Sequence, residues 1–345
     1  MSTDELVVST ADRILAETCT YAVIEQAERD GWAPAVWEPL AEAGLPYVGV
    51  SEQAGGVGGT LADALSLLRL VGRHAAPVPL AENGLLAGWL LEQAGLRIEA
   101  AVSTIVPGTA ADTVRLEGAT LTGTAHEVPW ARRAQVLVVL VDDESGSRVA
   151  VVDTQAAGIA PLTNLAGEPR DTVHFDATPI RELSPVELSR ADFDRRGALT
   201  RTQLMAGALE RMYELTLAYT AERQQFGRPV SRFQLVQAHL VHLAQDAALL
   251  CLAADAAARA ADSGDAEFEI AAARVIACSA ATAAARTAHQ AHGAMGMTRE
   301  YPLHHYSRRL WSWRREFRQE HHWSVEVGRQ AMGATADGLY PLITR

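Results

Sequence analysis

RQQFGRPVSRFQ, residues 223–234, is the stretch that decides how this chain reads. Before it, an amphipathic run from Asp192 to Glu222 has helical texture. Within it, Phe226 to Val230 (FGRPV) sets a glycine and a proline close together, and a helix does not continue through that pair. After it, Ser231 is placed to cap a second long helix reaching about Ala261. A third helix is expected over Glu267 to His292, followed by a break over Gly293 to Thr298. Tyr301 to Gly333 has room for one or two more. Long helices joined by short breaks predict an antiparallel four-helix bundle over residues 187–345.

Working toward the N-terminus, the texture changes twice. Over 97–186 the apolar residues are valines in short runs, as in QVLVVLV (135–141) and RVAVV (148–152), which predicts a small β-barrel-like middle domain of short strands. Residues 1–96 return to helical patterning: Ile14 to Arg29, Trp37 to Ala43 ended by Gly44, Leu61 to His74 capped by Thr60, and Leu85 to Ala94. The fold class is therefore mainly α with a central β domain.

The composition narrows the function. A formal charge of −12 argues against nucleic acid, which needs a basic surface to displace counterions. Cys19, Cys251 and Cys278 lack metal-ligand spacing and suit buried thiols in a reducing cytoplasm. Met1 to Thr10 has neither a basic start nor an apolar run, so no secretory leader is expected. No uninterrupted apolar run approaches the roughly 18 residues of a membrane span, so none is expected. His304-His305 and His321-His322, with Arg308 and Arg309 between them, are read as a polar helix surface or interface and not as a metal site, because no carboxylate or cysteine joins them at ligand spacing.

A second segment, QAHGAMGMTREYP (290–302), joins the first in pointing to one family. Together they resemble the C-terminal signatures of acyl-CoA dehydrogenases. WEPLAEAGLPYVGVSEQAGGVGGTLADALSLLRLVGRHAAPVPLAE (37–82) has the cadence of that family's first helical domain. The resemblance implies that Arg223, Gln225, Phe226, Gly227, Gln234, Gln290, Gly293 and Ala294 grip the ADP half of an FAD bound mainly by a neighbouring subunit. The residue types suit the role. Arginine donates bidentate bonds to a pyrophosphate, and neutral amides bond ribose or adenine edges. Read locally, the same residues also suit a helix-breaking turn with an arginine capping carbonyls. Ala294 stands where the family usually has a second glycine.

Two departures from the family pattern bear on chemistry. Dehydrogenation needs a carboxylate to remove the α-proton while hydride leaves the β-carbon for the flavin. Counted from the second motif, the usual base position is Phe317; counted back from Arg223, the minority position is Gly197. Glu316 is the adjacent carboxylate, and Arg314, Arg315 and Arg318 around it would tend to pair with it at the surface. The family's Glu-Pro-Gly-rich loop is not found between Ala94 and Val114. Val128, Pro129 and Trp130 fall near where the family's flavin-ring contacts lie, with Trp130 read as a buried structural residue.

The resemblance thus implies an FAD-dependent acyl-CoA dehydrogenase subunit, with this chain as the base-lacking member of a heteromer. The implied partners are a homologous dehydrogenase chain in a heterotetramer, or self in a homodimer or tetramer, with an electron-transfer flavoprotein-type acceptor. Two alternatives stay open: a self-sufficient homomeric enzyme using Glu316 as base, and a flavin-free scaffold.

Overall fold

The computed structural model describes residues 3–143, 146–264, 266–334 and 336–343. The chain divides into two compact units, residues 1–71 with 76–196, and residues 72–75 with 197–345.

The first unit opens with helices α1 (Thr3–Thr18), α2 (Tyr21–Asp30) and α3 (Pro34–Glu42). The single helix expected over Ile14 to Arg29 is in fact two. Thr20 leaves helical backbone and its hydroxyl accepts from Val23 N, so a new N-cap interrupts the run. α4 (Leu61–Arg73) starts where expected, on a reciprocal cap: Asp63 N donates to Thr60 Oγ1 while Thr60 N donates to Asp63 Oδ2. A wholly buried π-helical stretch, Ala81–Gly88, runs into α5 (Trp89–Gln93), so this helix begins earlier than its apolar pattern suggested.

The valine-rich segment forms β1 (Ser103–Ile105), β2 (Arg115–Glu117), β3 (Thr120–Pro129), β4 (Val136–Asp143), β5 (Gly146–Asp153), β6 (Gly158–Ala160), β7 (Arg170–Pro179) and β8 (Glu182–Pro185). They build two four-stranded sheets, ordered β1-β4-β5-β8 and β2-β3-β7-β6, antiparallel except for the β1–β4 pair. Alternate residues of facing strands (Leu121 and Ala125, Leu137 and Val139, Val173 and Phe175) fill one core between the sheets.

The second unit is helical. It takes most of α6 (Arg190–Glu222), then β9 (Gln224–Gln225) and β10 (Arg228–Pro229), α7 (Gln234–Ser263), α8 (Glu267–His292), α9 (Leu303–Trp313), α10 (Glu320–Gly333) and α11 (Ala336–Ile343). α8 packs against α7, α9 and α10. Its buried alanines, among them Ala277, Ala281, Ala284 and Ala288, give it a narrow face that neighbours can approach closely. Ser231 is not the cap of α7. Val230–Arg232 forms a 3-10 turn after Pro229, which moves the start of α7 to Gln234, with Phe233 as its N-cap.

By length and composition, Gln234–Ser263 and Glu267–Met297 could each cross a membrane, although neither is an uninterrupted apolar run. The α8 stretch is mostly buried, as a core helix is, whereas α7 leaves Leu235, Leu249 and Leu252 exposed. Of the cysteines, Cys19 and Cys278 are buried and Cys251 is only partly so.

Candidate functional site

The first motif folds as a tight hairpin. Gln225 pairs with Arg228, leaving Phe226 and Gly227 as a two-residue loop, and both have left-handed φ (54° and 79°). Such a loop demands φ > 0 at both positions, which glycine meets freely and phenylalanine only under strain. Phe226 is 92% exposed at the tip. The second motif ends α8, where Gly293 takes φ 62° and ψ −140° and turns the chain away.

These two turns meet. A cavity of about 490 Å³ is lined by Arg223, Gln225 and Phe226 from the first motif and by Gln290, Gly293 and Ala294 from the second. Gly227 and Gln234 are not among its lining residues. Arg223, Gln225 and Gln290 are exposed to it, and the Arg223 guanidinium makes no ion pair among the described residues. Nor does it donate to a carbonyl among the described residues.

Tyr219, His292, Phe233, Val236 and Met295 also line the cavity, and the sequence reading did not select them. Tyr219 stacks on His292 with centroids 4.4 Å apart, and Tyr301 leans on the same imidazole at 4.8 Å. His292 Nδ1 lies 2.8 Å from Ala288 O, so Nδ1 carries the proton and donates. Burial holds the His292 pKa below the ordinary histidine value. The available signal was spacing: Tyr219 lies one helical turn before Arg223, and His292 lies inside the second motif.

The two positions counted out for a base also meet. Gly197, on α6, lies directly under the Phe317 ring: a Cβ built on it would overlap ring atoms Cγ, Cδ1 and Cε1. One turn along the same face stands Arg201, 1% exposed, with its Cζ 5.3 Å from the Phe317 ring centroid. Glu316 is turned toward α6, but its Oε2 accepts from Arg201 Nε at 2.5 Å. This buried partner lies on α6, away from the flanking Arg314, Arg315 and Arg318.

The α9–α10 connection is bent to make this arrangement. Phe317 and Arg318 both have left-handed φ (52° and 70°), at a cost of roughly 1–2 kcal/mol per residue. Buried donors hold the bend: Arg274 Nη2 bonds Trp313 O (2.6 Å) and Glu316 O (2.7 Å), and Trp323 Nε1 bonds Phe317 O (3.0 Å). Complete burial draws the Arg274 pKa below its ordinary value. Neither Arg201 nor Arg274 was legible beforehand, since an arginine in a helix reads as a solvated face.

The histidine-rich C-terminal stretch is part buried and part exposed. His305 and Arg309 are buried, with Arg309 Nη1 donating to His305 O, because α9 turns more than its apolar stripe inward. His321 and His322 are exposed. Arg308 Nη2 and His304 Nδ1 are 3.1 Å apart.

In the β domain, Val128, Pro129 and Trp130 are all buried. Pro129 has no N–H to offer, its carbonyl accepts from Thr104 Oγ1, and Trp130 sits edge-on to Trp32 at 6.2 Å. The three residues offer no open face to a flat ring.

Comparison with known proteins gives a consistent picture. Residues 196–313 match the family model described as acyl-CoA dehydrogenase, C-terminal domain. The chain is 31% identical over 297 residues to acyl-CoA dehydrogenase FadE28 of Mycobacterium tuberculosis (strain ATCC 25618 / H37Rv), covering 78% of this chain and 84% of that protein. Among solved structures, a chain of the ChsE4-ChsE5 complex from Mycobacterium tuberculosis superposes with TM-score 0.87 at 21% identity, over 97% of this chain and 99% of that one. A chain of the Tcur3481-Tcur3483 steroid ACAD G363A variant does so with TM-score 0.85 at 24% identity, over 96% and 98%.

Proposed function

The chain belongs to the acyl-CoA dehydrogenase family, and on that premise we propose that it is the base-lacking partner in a heteromeric FAD enzyme that desaturates an acyl-CoA thioester between its α and β carbons. The observation that carries the proposal is the contact of Phe317 with Gly197. Both base positions converge on one spot, and that spot holds a ring against a bare Cα. Glu316, the adjacent carboxylate, is committed to Arg201.

FAD, when bound, supplies the hydride acceptor of the family's reaction. Its ADP half fits the hairpin cavity, which has an ordinary ligand-site volume and an unpaired guanidinium. Arg223 would neutralise the pyrophosphate, Gln225 and Gln290 would bond its oxygens or the ribose, and Phe226 would cover an apolar face. The ring half does not fit the buried Val128–Trp130 segment. This chain therefore grips the tail of a flavin whose ring and base belong to a homologous partner. The exposed leucines along α7, the helix that also gives Val236 to the cavity, support a neighbour along this helix. Because one structural relative is described as a steroid ACAD, the acyl group is assigned to the bulky polycyclic class. Electrons leave for an electron-transfer flavoprotein-type acceptor in the cytoplasm.

The test is co-expression with a homologous dehydrogenase chain, flavin quantified per chain, and dehydrogenation assayed with saturating acceptor. The expected result is a colourless chain alone and a yellow, active complex. Yellow colour and turnover from the chain alone would overturn the proposal in favour of a homomeric enzyme. Colourless protein in both preparations would leave a scaffold.

A further inference from the structure

Losing a base and closing a site are different events, and the geometry around Phe317 bears on the second. We propose that the Phe317 ring is a fixed stopper that closes the acyl-thioester end of this chain's own site, with Arg201 as the residue that keeps it in place. The inference rests on reading Gly197 and Phe317 as the two base positions.

A general base works within about 2.6–3.2 Å of the proton it removes, so the α-carbon of a thioester must lie beside the base position. Here that volume holds an aromatic ring. The ring is packed so closely that the position opposite has no space for a methyl group. A glycine at 197 and a phenylalanine at 317 are thus complementary: the ring enters only because the helix beneath it carries no side chain.

The ring is also held. Phe317 is 6% exposed, and its backbone is turned inward by two successive left-handed residues. A side chain that merely replaced a lost carboxylate would need no such bend. Arg201 touches the stopper twice, through its guanidinium over the ring and through its bond to the preceding carboxylate. Arg274 and Trp323 fix the carbonyls of Glu316 and Phe317. The ring and the backbone that carries it are thus held from α6, α8 and α10. Thioester oxidation in the assembled enzyme would then occur only at the partner's site, and this chain would not distinguish an acyl-CoA from CoA.

The experiment is calorimetric titration of the purified full chain with octanoyl-CoA and with CoA. The wild-type chain is expected to show no octanoyl-CoA affinity beyond that for CoA. Phe317→Ala vacates the ring's volume, and octanoyl-CoA should then bind roughly tenfold or more tighter than CoA, since each buried methylene contributes to affinity. Where the alanine variant does not fold, Phe317→Leu removes only the outer part of the ring and should give a preference of roughly threefold. A wild-type chain that already prefers octanoyl-CoA, or a folded variant that gains no preference, overturns the stopper. Flavin content of the co-expressed complex reports separately on the heteromer. A flavin-bearing complex whose helper chain prefers octanoyl-CoA sinks the stopper alone, whereas a flavin-free complex with a closed helper chain sinks the heteromer alone.

Discussion

The hairpin cavity and the Phe317 knot lie in the same helical unit, and they treat polar groups in opposite ways. At the cavity, Arg223 has no ion pair among the described residues, and Phe226 is strained and almost fully exposed. At the knot, Arg201 is paired, Glu316 is paired, and a strained phenylalanine is almost fully buried. Both regions contain left-handed aromatic residues, so strain alone does not mark function. What separates them is whether the strained residue faces an open cavity or completes a packed one. The cavity leaves its groups available to something outside the chain, while the knot spends them internally.

The largest expected effect comes from breaking the knot. Glu316→Ala leaves Arg201 buried without its carboxylate and should cost about 3–5 kcal/mol of stability. Turnover per assembled, flavin-matched enzyme should change by no more than about twofold, against the 10²–10⁴ of a lost general base. Denaturant unfolding and steady-state rates on the same preparations check both halves. A small stability loss with a large rate loss would move Glu316 from clamp to catalyst and erase the contrast between the two regions.

The cavity should respond in the opposite sense. Arg223→Ala removes an exposed, unpaired cation, so stability should stay within about 0.5 kcal/mol. Flavin retention by the assembled complex should weaken by about 1.5–3 kcal/mol if the bond to the pyrophosphate is charge-assisted. Equilibrium dialysis against free FAD measures it. Unchanged retention in an intact complex would remove the guanidinium from the site.

How much of this was legible follows the range of the interactions. Glu267 to His292 reads correctly as a helix because alanine content and a terminating glycine, Gly293, are local properties. The cavity is half legible: its motif residues are short-range signatures, while Tyr219 and His292 become lining residues only once the two turns meet. The knot was legible only as an absence. Counting from two motifs gave Phe317 and Gly197, but their contact depends on α6 lying beside the α9–α10 bend, which no local pattern encodes. The bend itself relies on Arg274, whose donor reaches a carbonyl 39 residues along the chain, and on Trp323, which reaches back six residues across the start of α10. The break at Thr20 and the start of α7 were missed for a smaller reason: one hydroxyl cap, or one 3-10 turn, moves a boundary without changing the apolar pattern.

The smallest expected effect uses pH to sharpen the comparison. Burial lowers the pKa of both His289 and His292 below the histidine value near 6.5. His292 gives its one proton to Ala288 O, and its Nε2 is buried with no partner among the described residues. Its ring lies against Tyr219 and Tyr301, with His289 one turn back on α8. The folded chain therefore binds fewer protons than the unfolded chain as pH falls through the ordinary histidine value. Stability from this source is full above about 6.5 and is lost as pH drops below it, at no more than about 1.4 kcal/mol per pH unit for each histidine. His292→Phe keeps a flat ring between the two tyrosines and removes the titrating nitrogen. Denaturant unfolding at pH 5.0 and pH 7.5 (chosen to bracket the histidine value) should show a shallower acid loss in the variant than in the wild-type chain. An identical acid loss in both would place the proton uptake elsewhere and leave His292 as packing for the cavity wall.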